Sequence, residues 1–203
     1  MVTSSKQGLE QHWRQVLTNT FETDFFDVLS RVTSAGAQGS IVADSKAEIS
    51  IQDCSAIISG TQASDGVSAQ YPISYLVKSD LYVGTDDGMF LLLEKAGLAS
   101  TPIAPLLWAK EAKSFRHISS NRAIALVVRS QLARGGSFEL SGDLSASESS
   151  DYVEVHLTEN SGLISEVVVD IEVDGLTTRT ELGISPRSKE VQVARPPAHK
   201  VIE

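Results

Sequence analysis

Two runs of alternating side chains meet at Asp174-Gly175, and this feature constrains the fold more than any other in the chain. Before the dipeptide, Val167, Val169, Ile171 and Val173 alternate with Glu166, Asp170 and Glu172. That is the period-2 pattern of a strand with one face buried. Asp-Gly suits a two-residue β-turn, whose central residues adopt positive φ. Pairing across the turn sets Val173 opposite Leu176, Ile171 opposite Thr178, Val167 opposite Leu182 and Asp170 opposite Arg179. Hydrophobic pattern and turn chemistry therefore point to the same register.

Upstream, Val153, Val155 and Leu157 alternate with Glu154 and His156, so a further strand precedes the hairpin. Gly135-Gly136 is a break, residues 137–141 begin another strand, and 142–150 read as a Ser/Asp/Glu loop. The C-terminal third thus reads as an antiparallel β-meander with an acidic solvent face.

The N-terminus carries a different period. Leu9, Trp13, Val16, Leu17, Thr20, Phe21, Phe25, Val28, Leu29 and Val32 fall on one i, i+3, i+4 stripe. This predicts an amphipathic helix, or two helices joined near residues 19–24, with Gly36 as the C-cap. Phe26 lies off the stripe. Residues 40–58 read as strands, because Ala47, Ile49 and Ile51 alternate with polar neighbours, and Asp53 turns the chain before Ala56-Ile57-Ile58. Residues 60–70 read as a loop, and 73–83 as an apolar strand segment. Thr85-Asp86-Asp87 before Met89-Phe90-Leu91-Leu92-Leu93 predicts a capped short helix ended by Gly97. Pro102 and Pro105 predict a second short helix over 106–115, and the apolar run 123–128 predicts a buried strand.

The expected class is α+β, with an N-terminal amphipathic helix, a mixed α/β middle and a C-terminal antiparallel β-meander. The segments are 1–36 (helical), 37–185 (α+β domain) and 186–203, a Pro196-Pro197 tail that reads as extended or disordered. At 203 residues with 41% hydrophobic and only 6% aromatic side chains, the core must be aliphatic and needs no disulfide or metal.

The single cysteine, Cys54, excludes an internal disulfide and fits a reducing compartment. Residues 1–15 lack the basic stretch and apolar run of a secretory signal, and no apolar run is long enough for a spanning helix. The expected location is cytoplasmic, without a membrane contact. The net charge of −9 argues against nucleic-acid binding. Charge is segregated: from Lys110 to Arg134 six basic residues face only Glu111, and from Glu139 to Glu181 eleven acidic residues face only Arg179.

Chemistry-bearing motifs are few. Asp170, Glu172, Asp174, Gly175 and Glu181 follow the spacing of an EF-hand calcium loop, but their flanks are β-rich, and a hairpin spreads the carboxylates along a face. The spaced histidines His12, His117, His156 and His199 lack metal-ligand spacing. Phosphate loops and serine-hydrolase signatures are missing. Cys54 beside Ala56-Ile57-Ile58 reads as a small buried apolar residue. The sequence therefore assigns no catalytic residue, metal or cofactor, and favours a binding protein over an enzyme.

The expected function is a non-enzymatic protein-binding or assembly subunit using charge complementarity, with a protein partner or self-association. An interface would use Trp13, Phe21, Phe25 and Phe26 if the first helix projects. The alternative is a small-anion or nucleotide binder, or a hydrolase, with its site in 108–134, built from Trp108, Lys110, Lys113, Arg116, His117 and Arg122.

Overall fold

Period-2 alternation governs far more of the chain than its C-terminal third. The computed structural model describes residues 6–37, 39–64, 66–129, 152–173 and 175–202. After helix α1 (Lys6–Glu22) come strands β1 (Phe25–Gly36), β2 (Gly39–Ser50), β3 (Ser55–Ser64), β4 (Val67–Val77), β5 (Asp80–Gly84) and β6 (Phe90–Leu93). Helix α2 (Ala104–Lys110) leads to β7 (Ser114–Ser119), β8 (Arg122–Val128), β9 (Tyr152–Asn160), β10 (Leu163–Val173) and β11 (Leu176–Pro186), and the chain closes with β12 (Val201–Ile202). The twelve strands among the described residues form one sheet in the order β12-β6-β5-β4-β3-β2-β1-β11-β10-β9-β8-β7. Every pairing is antiparallel except that of β12 with β6.

The α+β class holds, but a meander confined to the C-terminal third does not describe it, because the sheet takes in residues from 25 onward. The β10–β11 register is the one the Asp-Gly turn demands, with Val173 opposite Leu176 and Asp170 opposite Arg179. Strand 137–141 and loop 142–150 lie outside the described residues.

Four local expectations are corrected. The helical stripe stops at Glu22, where the Thr23 N–H bonds the carbonyls of Asn19 and Thr20. Residues 25–36 are a strand because they also alternate: Phe26, Val28 and Ser30 are buried, while Asp27, Leu29 and Arg31 face out. Pairing on both sides, with β2 and β11, overrides the local helical period. This also explains Phe26, off the helical stripe yet fully buried.

Met89-Phe90-Leu91-Leu92-Leu93 contributes strand β6, not a helix. The polar residues ahead of it close a turn. The Thr85 hydroxyl donates to Asp87 at 2.5 Å, and the Thr85 N–H donates to the Met89 carbonyl at 3.0 Å. Residues 60–64 and 67–70, expected as part of a loop, belong to β3 and β4.

The short helix expected over 106–115 ends at Lys110, and β7 takes over at Ser114.

The helices seal one end of the sheet's inner face. Trp13, Val16, Leu17 and Thr20 of α1 are buried, as are Ile103, Leu106 and Ala109 around α2. Helix α1 packs on β7 and β10, and α2 on β8, β9 and β10. A single aliphatic core joins Leu76 and Leu81, near one edge, to Phe115 and Val127, near the other. On a flat sheet β6 and β7 would stand roughly 48 Å apart at the usual strand spacing. The sheet therefore curls around the core, and residues 94–113 cross its inner side.

The tail straps the outer face. The Arg187 N–H bonds the Phe25 carbonyl at 2.8 Å, Val191 is buried, and Arg195 reaches Asp80 at 3.1 Å before β12 joins β6.

Candidate functional site

The register defines rows of inner-facing side chains that cross the sheet, and their burial changes along each row. One row runs through Val155, Val169, Thr180, Val32, Ala43, Gln62 and Ala69. Val155 and Val169 are sealed, the middle residues are half-buried and Ala69 is exposed. The neighbouring row runs from buried Leu157, Val167 and Leu182 through Ser30, Ser45 and Gly60 to exposed Tyr71. A third contains Ile171, Thr178, Ser34, Ile41, Ser64 and Val67.

The inner face is closed over β8–β10 and over Phe26, Val28, Ala47, Ile49, Ala56 and Leu76, and among the described residues it is open over residues 32–36, 39–45, 60–64 and 67–71 of β1–β4. There, and at its border, the floor consists of small side chains, Ser30, Ser34, Ala43, Ser45 and Gly60. Ile41, Val67, Tyr71 and Leu176 stand exposed at its rim, Val67 at 73%. Polar groups on the floor bond one another: Ser34 and Thr178 share a 3.1 Å bond, and the Tyr71 hydroxyl donates to the Gln62 carbonyl oxygen. The apolar surface offered to a ligand is that of the exposed rim, Ile41, Val67, Tyr71 and Leu176. Such a trough holds an elongated apolar molecule by shape.

At Gly60 the floor comes very close to β2: a Cβ would sit 2.5 Å from the Asp44 carbonyl oxygen. The outer face bears a shallow groove of about 750 Å³, lined among others by Leu29, Arg31, Asp44, Lys46, Glu166 and Gly183. Its charges are partly paired. Arg31 lies 2.7 Å from Asp44, whose carboxyl it holds below the usual range. Arg179 binds Asp170 at 2.9 Å and Glu181 at 2.8 Å.

The basic side chains read from the sequence are spread over separate elements. Trp108 packs against the core from α2, and Lys110 lies 4.8 Å from the centre of the Phe21 ring. Lys113 donates to the Tyr152 hydroxyl at 2.9 Å, and Arg116 lies 2.8 Å from Glu154. His117 on β7 and Arg122 at the start of β8 are exposed. Of the aromatic set, Trp13 and Phe26 belong to the core, while Phe21 and Phe25 are half-buried.

Cys54 is half-buried in the turn between β2 and β3, and burial pushes its thiol pKa up. Asp170 and Glu181 sit on paired strands around Arg179, and no metal-holding group of His, Cys, Asp and Glu occurs among the described residues. The inner floor had a signal in the sequence, the alternation of Ser30, Val32, Ser34 and of Gly60, Gln62, Ser64. Reading those segments as helix and loop hid it.

A curled, almost wholly antiparallel sheet with helices α1 and α2 on its inner side defines the class of fold among the described residues. Solved structures share it. LprF from Mycobacterium bovis superposes with a TM-score of 0.51 at 10% identity, over 92% of this chain and 95% of its own. The Mycobacterium tuberculosis lipoprotein LppX gives 0.51 at 13% identity, over 94% of this chain and all of its own. At such identities the likeness is one of fold. No protein-family model matches the chain, and comparison with curated proteins finds no match.

These findings overturn the expectation of a cytoplasmic, acidic protein-binding subunit that acts by charge complementarity. A lipoprotein stands among its fold neighbours, and none of them supports a protein partner, self-association or a cytoplasmic place. Of the two oppositely charged segments, Arg116 of the basic one pairs with Glu154 of the acidic one. The six side chains named for a site in 108–134 lie on α2, β7, β8 and the connection between α2 and β7, with Lys113 bonded to Tyr152 and Arg116 to Glu154. The exclusion of a membrane setting, which rested on missing sequence signals alone, is withdrawn.

Proposed function

We propose that this protein binds an elongated apolar ligand of the acyl-chain type on the inner face of its sheet. The observation that carries the reading is the gradient along the rows, from sealed aliphatic residues at β8–β10 to small half-buried ones at β1–β3. Burying the exposed rim of Ile41, Val67, Tyr71 and Leu176 supplies the driving force, at about 25 cal/mol per Å² of apolar surface. The fold likeness to a protein designated a lipoprotein agrees with a lipid setting.

Titration with a fluorescent fatty acid tests this. Saturable binding at one site per chain is expected, and Ala43→Trp, which fills the trough floor, should abolish it. No saturable binding, or binding that Ala43→Trp leaves intact, would overturn the reading.

A further inference from the structure

The floor of the trough carries hydroxyls without bonds and no charge. On β1–β4, β10 and β11, every Asp, Glu, Lys and Arg falls at an outward-facing position of the register. On the inner side Ser30 of β1 and Ser45 of β2 are direct cross-strand partners, one level beyond the sealed pair Val28 and Ala47. Ser30 is only 6% exposed. Unlike Ser34 and Thr178, the two hydroxyls bond neither each other nor any other group among the described residues.

In the same row Gly60 follows Ser45, and Tyr71 follows Gly60. No side chain fits at Gly60, because a Cβ would stand 2.5 Å from the Asp44 carbonyl oxygen and 3.2 Å from the Ser45 Cβ. The row is therefore bare between Ser45 and Tyr71, which lie two strand spacings, or about 10 Å, apart. Gln62, two residues along β3 from Gly60, stands on the same face. Its amide oxygen accepts the Tyr71 hydroxyl, which orients the amide and leaves the NH2 group free to donate.

Three neutral donors, Ser30, Ser45 and Gln62, thus border a gap in the floor where the open trough meets the sealed core. Buried polar groups are nearly always bonded, so these donors await an acceptor. A carboxylate seated here would give up its hydration and meet no cation on the floor. An ester carbonyl has far less hydration to lose and accepts from the same donors.

We propose that Ser30, Ser45 and Gln62 form a subsite for an uncharged, oxygen-bearing head group, so that the ligand is an acyl ester and not a free fatty acid. This rests on the reading of the inner face as an apolar binding trough. The ester carbonyl sits over Gly60, and the chain runs from there toward the exposed Ile41 and Val67.

Calorimetric titration of the full chain with methyl dodecanoate and with dodecanoate, near neutral pH and each below its aggregation concentration, tests the assignment. The ester should bind about tenfold tighter than the carboxylate. Ser45→Ala should weaken the ester about fivefold, while Ser45→Thr, which keeps the hydroxyl, should not. Ser45→Lys, which places a cation on the floor, should turn the preference toward dodecanoate. Dodecanoate binding as tightly as its ester in the unaltered protein, or an ester affinity that Ser45→Ala leaves unchanged, overturns the subsite and leaves the trough standing. Binding of neither ligand overturns both. The comparison of the two ligands in the unaltered protein decides even if a variant does not fold.

Discussion

The guanidinium of Arg187 lies 2.7 Å from the carboxylate of Glu48 and 2.9 Å from that of Asp27. The three side chains come from the tail, β2 and β1, so one cation ties the strap to two neighbouring strands. Glu48 and Asp27 are cross-strand partners whose like charges would otherwise repel. Arg187→Ala should lower stability by about 1 kcal/mol, since the pair is only partly shielded from water. It should also speed proteolysis between residues 188 and 195. Urea unfolding and limited digestion would check this, and an unchanged digestion pattern would show that the strap does not depend on Arg187.

Thr20 joins α1 to the sheet. Its hydroxyl donates to the Val16 carbonyl at 2.8 Å and accepts the Ile164 N–H at 2.9 Å, all out of solvent. Thr20→Val keeps the shape but strands a buried N–H, which should cost ~1–3 kcal/mol in urea unfolding. Thr20→Ser keeps the hydroxyl and loses one methyl, so it should cost less. Equal losses for the two variants would contradict the role of the hydroxyl.

Trp13 is 1% exposed, and its indole nitrogen has no partner. Its contribution is therefore packing. Trp13→Ala should destabilise by ~3–5 kcal/mol, as large aromatic truncations in cores do. Trp13→Phe should cost much less, because no hydrogen bond is lost. Chemical denaturation of both variants separates packing from bonding.

The Arg31 hydrogen bond holds the Asp44 carboxyl pKa down. A depressed carboxyl pKa stabilises the fold above the unfolded value of about 3.9, and that stability is lost as pH falls through the folded value. The difference in stability between the protein and Asp44→Asn should be present near neutrality and vanish in acid. It should be small, because both partners are exposed. In an NMR titration the Asp44 midpoint should lie below that of ordinary aspartates and rise in Arg31→Gln.

Burial raises the Cys54 thiol pKa, only partly offset by the Leu98 backbone N–H. Since the thiolate is the nucleophile, Cys54 should alkylate more slowly at neutral pH than a free model thiol. Its φ of 48° lies in the left-handed region. Cys54→Gly should therefore be tolerated better than Cys54→Val, as thermal melting of the two variants would reveal.

What the sequence determined by itself was local. The Asp174-Gly175 turn and the alternation on either side of it set the β10–β11 register pair by pair, because turn geometry and one buried face admit only that pairing. The strands over 40–58 and 123–128 were legible for the same reason. Tertiary structure decided the rest. Residues 25–32 fit a helical stripe and a strand equally well, and only partners on both sides, β2 and β11, chose the strand. The same holds for β6, whose apolar run is too short for its period to be read. The candidate site was hidden for a deeper reason. Its floor brings Ser30, Ser45, Gly60 and Leu182 into one row from four strands. No stretch of sequence carries that row, because a sheet's face is assembled across strands, perpendicular to the direction in which a sequence is read.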